Sequence, residues 1–123
     1  MKKDIENLDD IQVLVDAFYN KVAKDDTIGY IFEDVQQVDW ASHLPQMYSF
    51  WQTVLFGVRS YKGNPMLKHI LVNRNESLTS SHFMQWLKLW GETIDEHFMG
   101  RKADMAKQRA DNMAIGIQKT LGI

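Results

Sequence analysis

The sequence has no cysteine. That excludes disulfides, thiolate zinc sites, iron–sulfur clusters and cysteine nucleophiles. It is also poor in chain breakers. Glycine and proline together supply nine of 123 residues, about 7%, where roughly 12% is usual. So few breakers favour long uninterrupted elements, helices above many short strands. No apolar run exceeds a few residues, so no segment reads as a membrane span. Nothing apolar follows Met1-Lys2-Lys3-Asp4 to serve as a signal peptide, and a cytoplasmic protein is the expectation. Positive charge is not in excess: the net charge is −2, which gives no electrostatic footprint for nonspecific nucleic-acid binding. Glycine-rich phosphate loops, the GxSxG elbow and the HExxH zinc motif are all missing. Linkers, repeats and low-complexity tracts are missing too.

What is present has the balance of one globular domain over residues 1–123, with 45% apolar and 24% charged residues. A polar exterior with near-zero net charge makes a monomer the default. Fourteen aromatic residues are a heavy load for this size; they must be buried against one another or against something else.

Hydrophobic spacing predicts an all-α fold. Asp9 or Asp10 can cap a first long helix running to about Lys24, with Ile11, Leu14, Val15, Phe18, Tyr19 and Val22 at helical spacing. Asp25-Asp26 and Gly29 break it, and a short turn-like piece, Ile28 to Phe32, follows. Asp39 is a plausible cap for a second long helix ending at Gly57, with Pro45 in an early turn. Residues 59–64 read as loop, Pro65 as the first turn of a short helix carrying Met66, Leu67 and His69, and Asn73 to Ser81 as loop. A strong helix follows from about Ser81 to Phe98, and a last one from about Lys102 to Leu121.

Four histidines occur, His43, His69, His82 and His97, none at the spacing of a helical zinc pair. The residues with chemistry are polar-tipped groups set in apolar helical stretches. Tyr19 and Trp86 lie on core stripes. His43 shares a helix side with Met47, Phe50 and Trp51. His69 sits between Leu67 and Ile70 after the Tyr61-Lys62-Gly63-Asn64-Pro65 loop. Buried Tyr and Trp need hydrogen-bond partners, and a large, flat, apolar ligand with one polar centre accounts for the aromatics and two of the histidines. The plain alternative for Tyr19 and Trp86 is an ordinary core role. For Tyr61 and Asn64 it is an ordinary turn with Gly63 supplying the tight conformation. His82 reads as a surface residue of a helix cap.

In order along the chain stand Phe18-Tyr19, Phe32, His43-Leu44-Pro45 with Phe50-Trp51, Tyr61-Lys62-Gly63-Asn64-Pro65 with His69, His82 to Leu87, and Arg109-Ala110. This ordered set resembles the truncated haemoglobins, and among them the third group. The resemblance implies a two-over-two helical sandwich around haem b. It implies His69 as the proximal iron ligand, with His82 the second candidate. Phe32 would pack on the haem face, and Met47 and Phe83 would wall the pocket. Tyr19, His43 and Trp86 would form the distal side. Oxygen held there carries partial negative charge, so the Tyr19 hydroxyl and the Trp86 indole N–H, both donors, would slow its release. The implied partners are O2, NO and CO, with an unidentified external electron donor. The implied function is tight O2 binding with reaction of the ligand, in nitric oxide detoxification or peroxide chemistry; the alternatives are a gas or redox sensor and a ligand store. Three roles stay open for His43: a donor to the ligand, a gate, or a ligand to the iron.

Overall fold

The computed structural model describes residues 2–32, 39–64, 68, 69, 72, 73 and 77–123. Four long helices dominate: α1 (Leu8–Ala23), α2 (Trp40–Phe56), α3 (Ser80–His97) and α4 (Arg101–Leu121). Among the described residues the only β-pairing is a single bridge between Lys3 and Phe98. α1 packs on α2 and α3 on α4, while α1 also meets α3 and α2 meets α4. Two helices therefore lie over two, as expected. Pro65, Met66, Leu67 and Ile70 fall outside the described residues. Lys68, His69, Val72 and Asn73 are helical; Asn73 had been expected in a loop. Asn73 Oδ1 accepts from the Leu78 backbone N–H at 2.8 Å.

Local chemistry explains most helix ends. α2 starts and stops where the sequence says. The Asp39 carboxylate accepts from the Ala41 N–H, and Gly57 closes the helix at φ 70°, a conformation that favours glycine. The start of α1 differs. Asn7 is the cap, its Oδ1 accepting from Asp10 N–H at 3.0 Å. Asp10 turns back instead, taking the Glu6 N–H at 2.9 Å and Lys3 Nζ at 2.5 Å. Gly29 ends the connection after α1 by close approach: a Cβ there would sit 2.8 Å from the Val22 carbonyl oxygen.

The start of α4 is capped from the far end of the chain. Gly100 has no side chain to offer. Asp4 supplies the carboxylate instead, accepting from the N–H groups of Lys102 and Ala103, each at 2.9 Å. Burial raises the Asp4 pKa, but these two N–H groups and that of Ile5 outweigh it and hold the carboxyl below its usual range. Beside Asp4, Ile5 is 1% exposed and anchors the N-terminal segment in the core.

The core has two parts. The larger centres on Phe18, Trp90, Trp51, Ile94 and the α1 stripe, with Ala103, Ala106 and Ala110 of α4. The smaller is Ile31, Leu78, Phe83, Ala114 and Ile117. The small residues of α4 let its backbone approach α3, and the Trp90 indole donates to the Ala106 carbonyl at 3.2 Å.

Asp4→Ala is expected to destabilise the protein by about 1 kcal/mol, the ordinary cost of a lost helix cap, and Asp4→Asn to restore most of it. The Asp4 pKa is depressed on folding, so its advantage is present above the unfolded carboxylate pKa and is lost as pH falls through the lower folded value. Urea unfolding midpoints at neutral and acid pH measure both effects.

Candidate functional site

A cavity of about 360 Å³ lies between the two parts of the core and is bordered by both. This is the size of an ordinary small-molecule or cofactor site. The residues that the resemblance assigned to the pocket all border it: Tyr19, Phe32, His43, Met47, His69, Phe83 and Trp86. Helix spacing explains the convergence. α1 turns Tyr19 inward with its core stripe, α2 places Met47 one turn after His43, and α3 places Phe83 and Trp86 one turn apart.

The rings form two groups. In the first, the Tyr19 and His43 rings meet edge-on at 5.0 Å. Phe32 approaches Tyr19 at 5.9 Å and His43 at 6.2 Å. Trp40 backs this group, stacked on Phe32 at 5.9 Å and edge-on to His43 at 5.7 Å. In the second, His69 lies 6.1 Å from Phe83.

The polar groups are few and under-used. His43 Nε2 and the Tyr61 hydroxyl are buried with no hydrogen-bond partner among the described residues. Trp90, Tyr30 and Tyr48 each make a side-chain hydrogen bond; among the described residues the Tyr19 hydroxyl and the Trp86 indole N–H make none. A buried polar atom left unsatisfied costs free energy, and such atoms gather where a ligand supplies the partner. Burial pushes the Tyr19 phenol well up, so it stays a hydroxyl. Burial, and then the charge of Lys68, push the His43 imidazole down, so it is neutral at pH 7.

Sequence reasoning missed three features. Trp40 was not singled out, although it stands next to the Asp39 cap and stacks behind Phe32. Tyr61 was placed in an ordinary turn; it borders the cavity and meets Phe50 edge-on at 5.2 Å. His82 is not a plain surface residue. It is half-buried, borders the cavity and pairs with the Tyr30 hydroxyl at 3.3 Å, while its Nδ1 accepts from Thr79 N–H in a capping box. The Thr79-to-His82 spacing carried that signal.

With this geometry in view, the comparisons with known proteins decide the family. Residues 5–119 match the family described as bacterial-like globin. A group 3 truncated haemoglobin of Campylobacter jejuni is 30% identical, over 98% of this chain and 95% of that protein. The crystal structure of the group III truncated haemoglobin from Campylobacter jejuni superposes with a TM-score of 0.86 at 31% identity, covering 98% of this chain and 95% of that one. The chain belongs to the group III truncated haemoglobins. Membership of this globin family implies haem and the binding of diatomic gases.

The residues present fit a haem. The truncated haemoglobin cavity is apolar over most of its wall, His69 borders it with an imidazole, and His43 Nε2 is buried with no hydrogen-bond partner among the described residues. Because the Tyr19 hydroxyl holds no partner in the described structure, Tyr19→Phe is expected to change the unfolding free energy by less than about 0.5 kcal/mol, since no hydrogen bond worth roughly 1 kcal/mol is lost. Urea titration of the two proteins makes the comparison.

Proposed function

We propose that this truncated haemoglobin holds haem b through His69 and retains O2 for redox chemistry, nitric oxide oxidation or peroxide reduction, with electrons from a separate donor. The observation that carries the reading is a set of polar atoms without protein partners in an apolar cavity: His43 Nε2 and the Tyr61 hydroxyl, buried among aromatic rings. Bound there, haem would supply an iron able to bind a diatomic gas and one-electron redox chemistry.

The chain's own residues do the rest. The His69 imidazole offers a nitrogen lone pair. Tyr19 O–H and Trp86 N–H are donors, and a gas ligand with partial negative charge is their partner. The high pKa of Tyr19 keeps its proton in place. Neutral His43 can donate or accept, and packed against Tyr19, Phe32 and Trp40 it forms part of the cavity wall; we assign it the gate. Phe32, Met47 and Phe83 exclude water, which strengthens each remaining hydrogen bond.

Absorption spectra in the ferric, ferrous and ferrous–CO states test the anchor. A Soret band that shifts with CO and is lost or altered in His69→Ala is expected; an unaltered band in the variant overturns the role of His69. Stopped-flow O2 release tests the donors. A hydrogen bond in a dry pocket is worth roughly 1–3 kcal/mol, and about 1.4 kcal/mol is tenfold in rate. Tyr19→Phe is therefore expected to release O2 about ten- to a hundredfold faster, and an unchanged rate overturns its role. His43→Ala is expected to raise the ligand on-rate, and an equal on-rate removes the gate.

A further inference from the structure

The haem reading leaves a stack of indoles unexplained. Trp86 and Trp51 both border the cavity. Behind them lies Trp90, 1% exposed. It stacks on Trp86 at 6.3 Å with the planes 7° apart, and on Trp51 at 4.5 Å and 22°. Three indoles, the side chains most easily oxidised after tyrosine and the thiols, thus make one continuous π-stack. The Trp90 N–H is donated to the Ala106 carbonyl. A carbonyl is too weak a base to take the proton, so Trp90 can pass an electron but cannot settle as a neutral radical.

The stack has an outlet. Tyr48 lies three residues before Trp51 on α2, a spacing that makes the two neighbours on the helix surface. It is half-buried, and its phenol donates a hydrogen bond to the Asp16 carboxylate of α1. Taking an electron from tyrosine at neutral pH requires its proton to leave, and here a carboxylate already holds that proton's hydrogen bond. Among the described tyrosines, Tyr48 is the one whose phenol is held by a carboxylate; the Tyr61 hydroxyl has no partner among the described residues, the Tyr19 ring meets His43 edge-on, and Tyr30 pairs with His82.

We propose that Tyr48 with Asp16 is a second redox site, at which an aromatic reductant of the phenol or aromatic-amine class is oxidised by electrons passing through Trp51 and the indole stack toward the cavity. The proposal rests on the haem reading, with a hydroperoxide as oxidant. Each turnover reduces H2O2 to two H2O with two electrons and two protons. For each electron, Tyr48 gives an electron to the stack and its phenolic proton to Asp16, becoming a neutral phenoxyl radical. The phenol reductant then gives Tyr48 a hydrogen atom and leaves as its own phenoxyl radical, and the Asp16 proton goes into water. The sum is two phenols and one H2O2 giving two phenoxyl radicals and two H2O.

Freeze-quench electron paramagnetic resonance of the haem-loaded protein mixed with H2O2 tests the proposal. The expected signal is a tyrosyl radical that narrows when the protein carries ring-deuterated tyrosine. It is expected to fall at least tenfold in Tyr48→Phe and in Asp16→Asn, and at least tenfold in Trp51→Phe, whose folding is checked by circular dichroism. Guaiacol added to the wild type is expected to quench it. A merely structural Tyr48–Asp16 bond would lower the melting temperature of Asp16→Asn and leave the radical signal unchanged. That result, or a tyrosyl signal persisting in Tyr48→Phe, overturns the proposal and leaves the haem reading standing. Absence of a Soret band after haem loading overturns both.

Discussion

A chain of 123 residues that keeps about 360 Å³ open in its middle must hold its helices apart without losing their packing. Side chains that border the cavity lack partner atoms on one side and forfeit dispersion there. The larger part of the core offsets this with density. Ile11, Leu14, Val15 and Val22 of α1 have no exposed surface, and Phe18 meets Trp86 and Trp90 edge-on at 5.8 and 5.0 Å. The alanine stripe of α4 brings that helix close to α3, and the N-terminal segment is pinned by Ile5 and Asp4. The smaller part of the core has no comparable reserve of aromatic contacts. Its residues Ile31, Leu78, Phe83, Ala114 and Ile117 all border the cavity, so whatever fills the cavity completes that half of the molecule.

The same constraint governs the polar atoms. In a close-packed core an unpartnered imidazole nitrogen is a plain defect, with a cost of roughly 1–3 kcal/mol. At the edge of a cavity it is a binding group in waiting. His43 is kept neutral by burial and by Lys68, whose Nζ is itself held by Gln46 Oε1 at 2.8 Å. Tyr19 is kept protonated by burial alone. Both groups are therefore uncharged near neutral pH, and the cavity can stay dry, which is the condition under which a single donor discriminates strongly between ligands.

How legible this was in the sequence depends on range. Caps that act within a turn were readable: Asp39 and Gly57 gave both ends of α2. The start of α1 was not, because Asn7, Asp9 and Asp10 all qualify locally, and only the reach of Asp10 back to Lys3 decides among them. The Asp4 cap of α4 was invisible, since its partners lie 98 and 99 residues away. The residues of the candidate site were named by the ordered resemblance and not by spacing. Spacing placed Tyr19, His43 and Trp86 on apolar helix faces, where an ordinary core role fits equally well. Trp40 and Tyr61 escaped because their ring contacts come from other elements, Phe32 and Tyr19 for one and Phe50 for the other.

The indoles show the same limit in a sharper form. Along the chain, Trp86 and Trp90 are merely one turn apart on α3, and Trp51 is a core residue of α2. Aromatic pairs generally favour offset or edge-on contacts, and Phe18 follows that rule with both α3 indoles. The near-parallel alignment of Trp86, Trp90 and Trp51 arises only when the tertiary fold brings Trp51 of α2 onto Trp90, whose indole donates a hydrogen bond to the Ala106 carbonyl. A core packed for stability alone has no need of that alignment. It joins both indole walls of the cavity through one buried ring, and it ends one helical turn from the Tyr48–Asp16 pair at the surface.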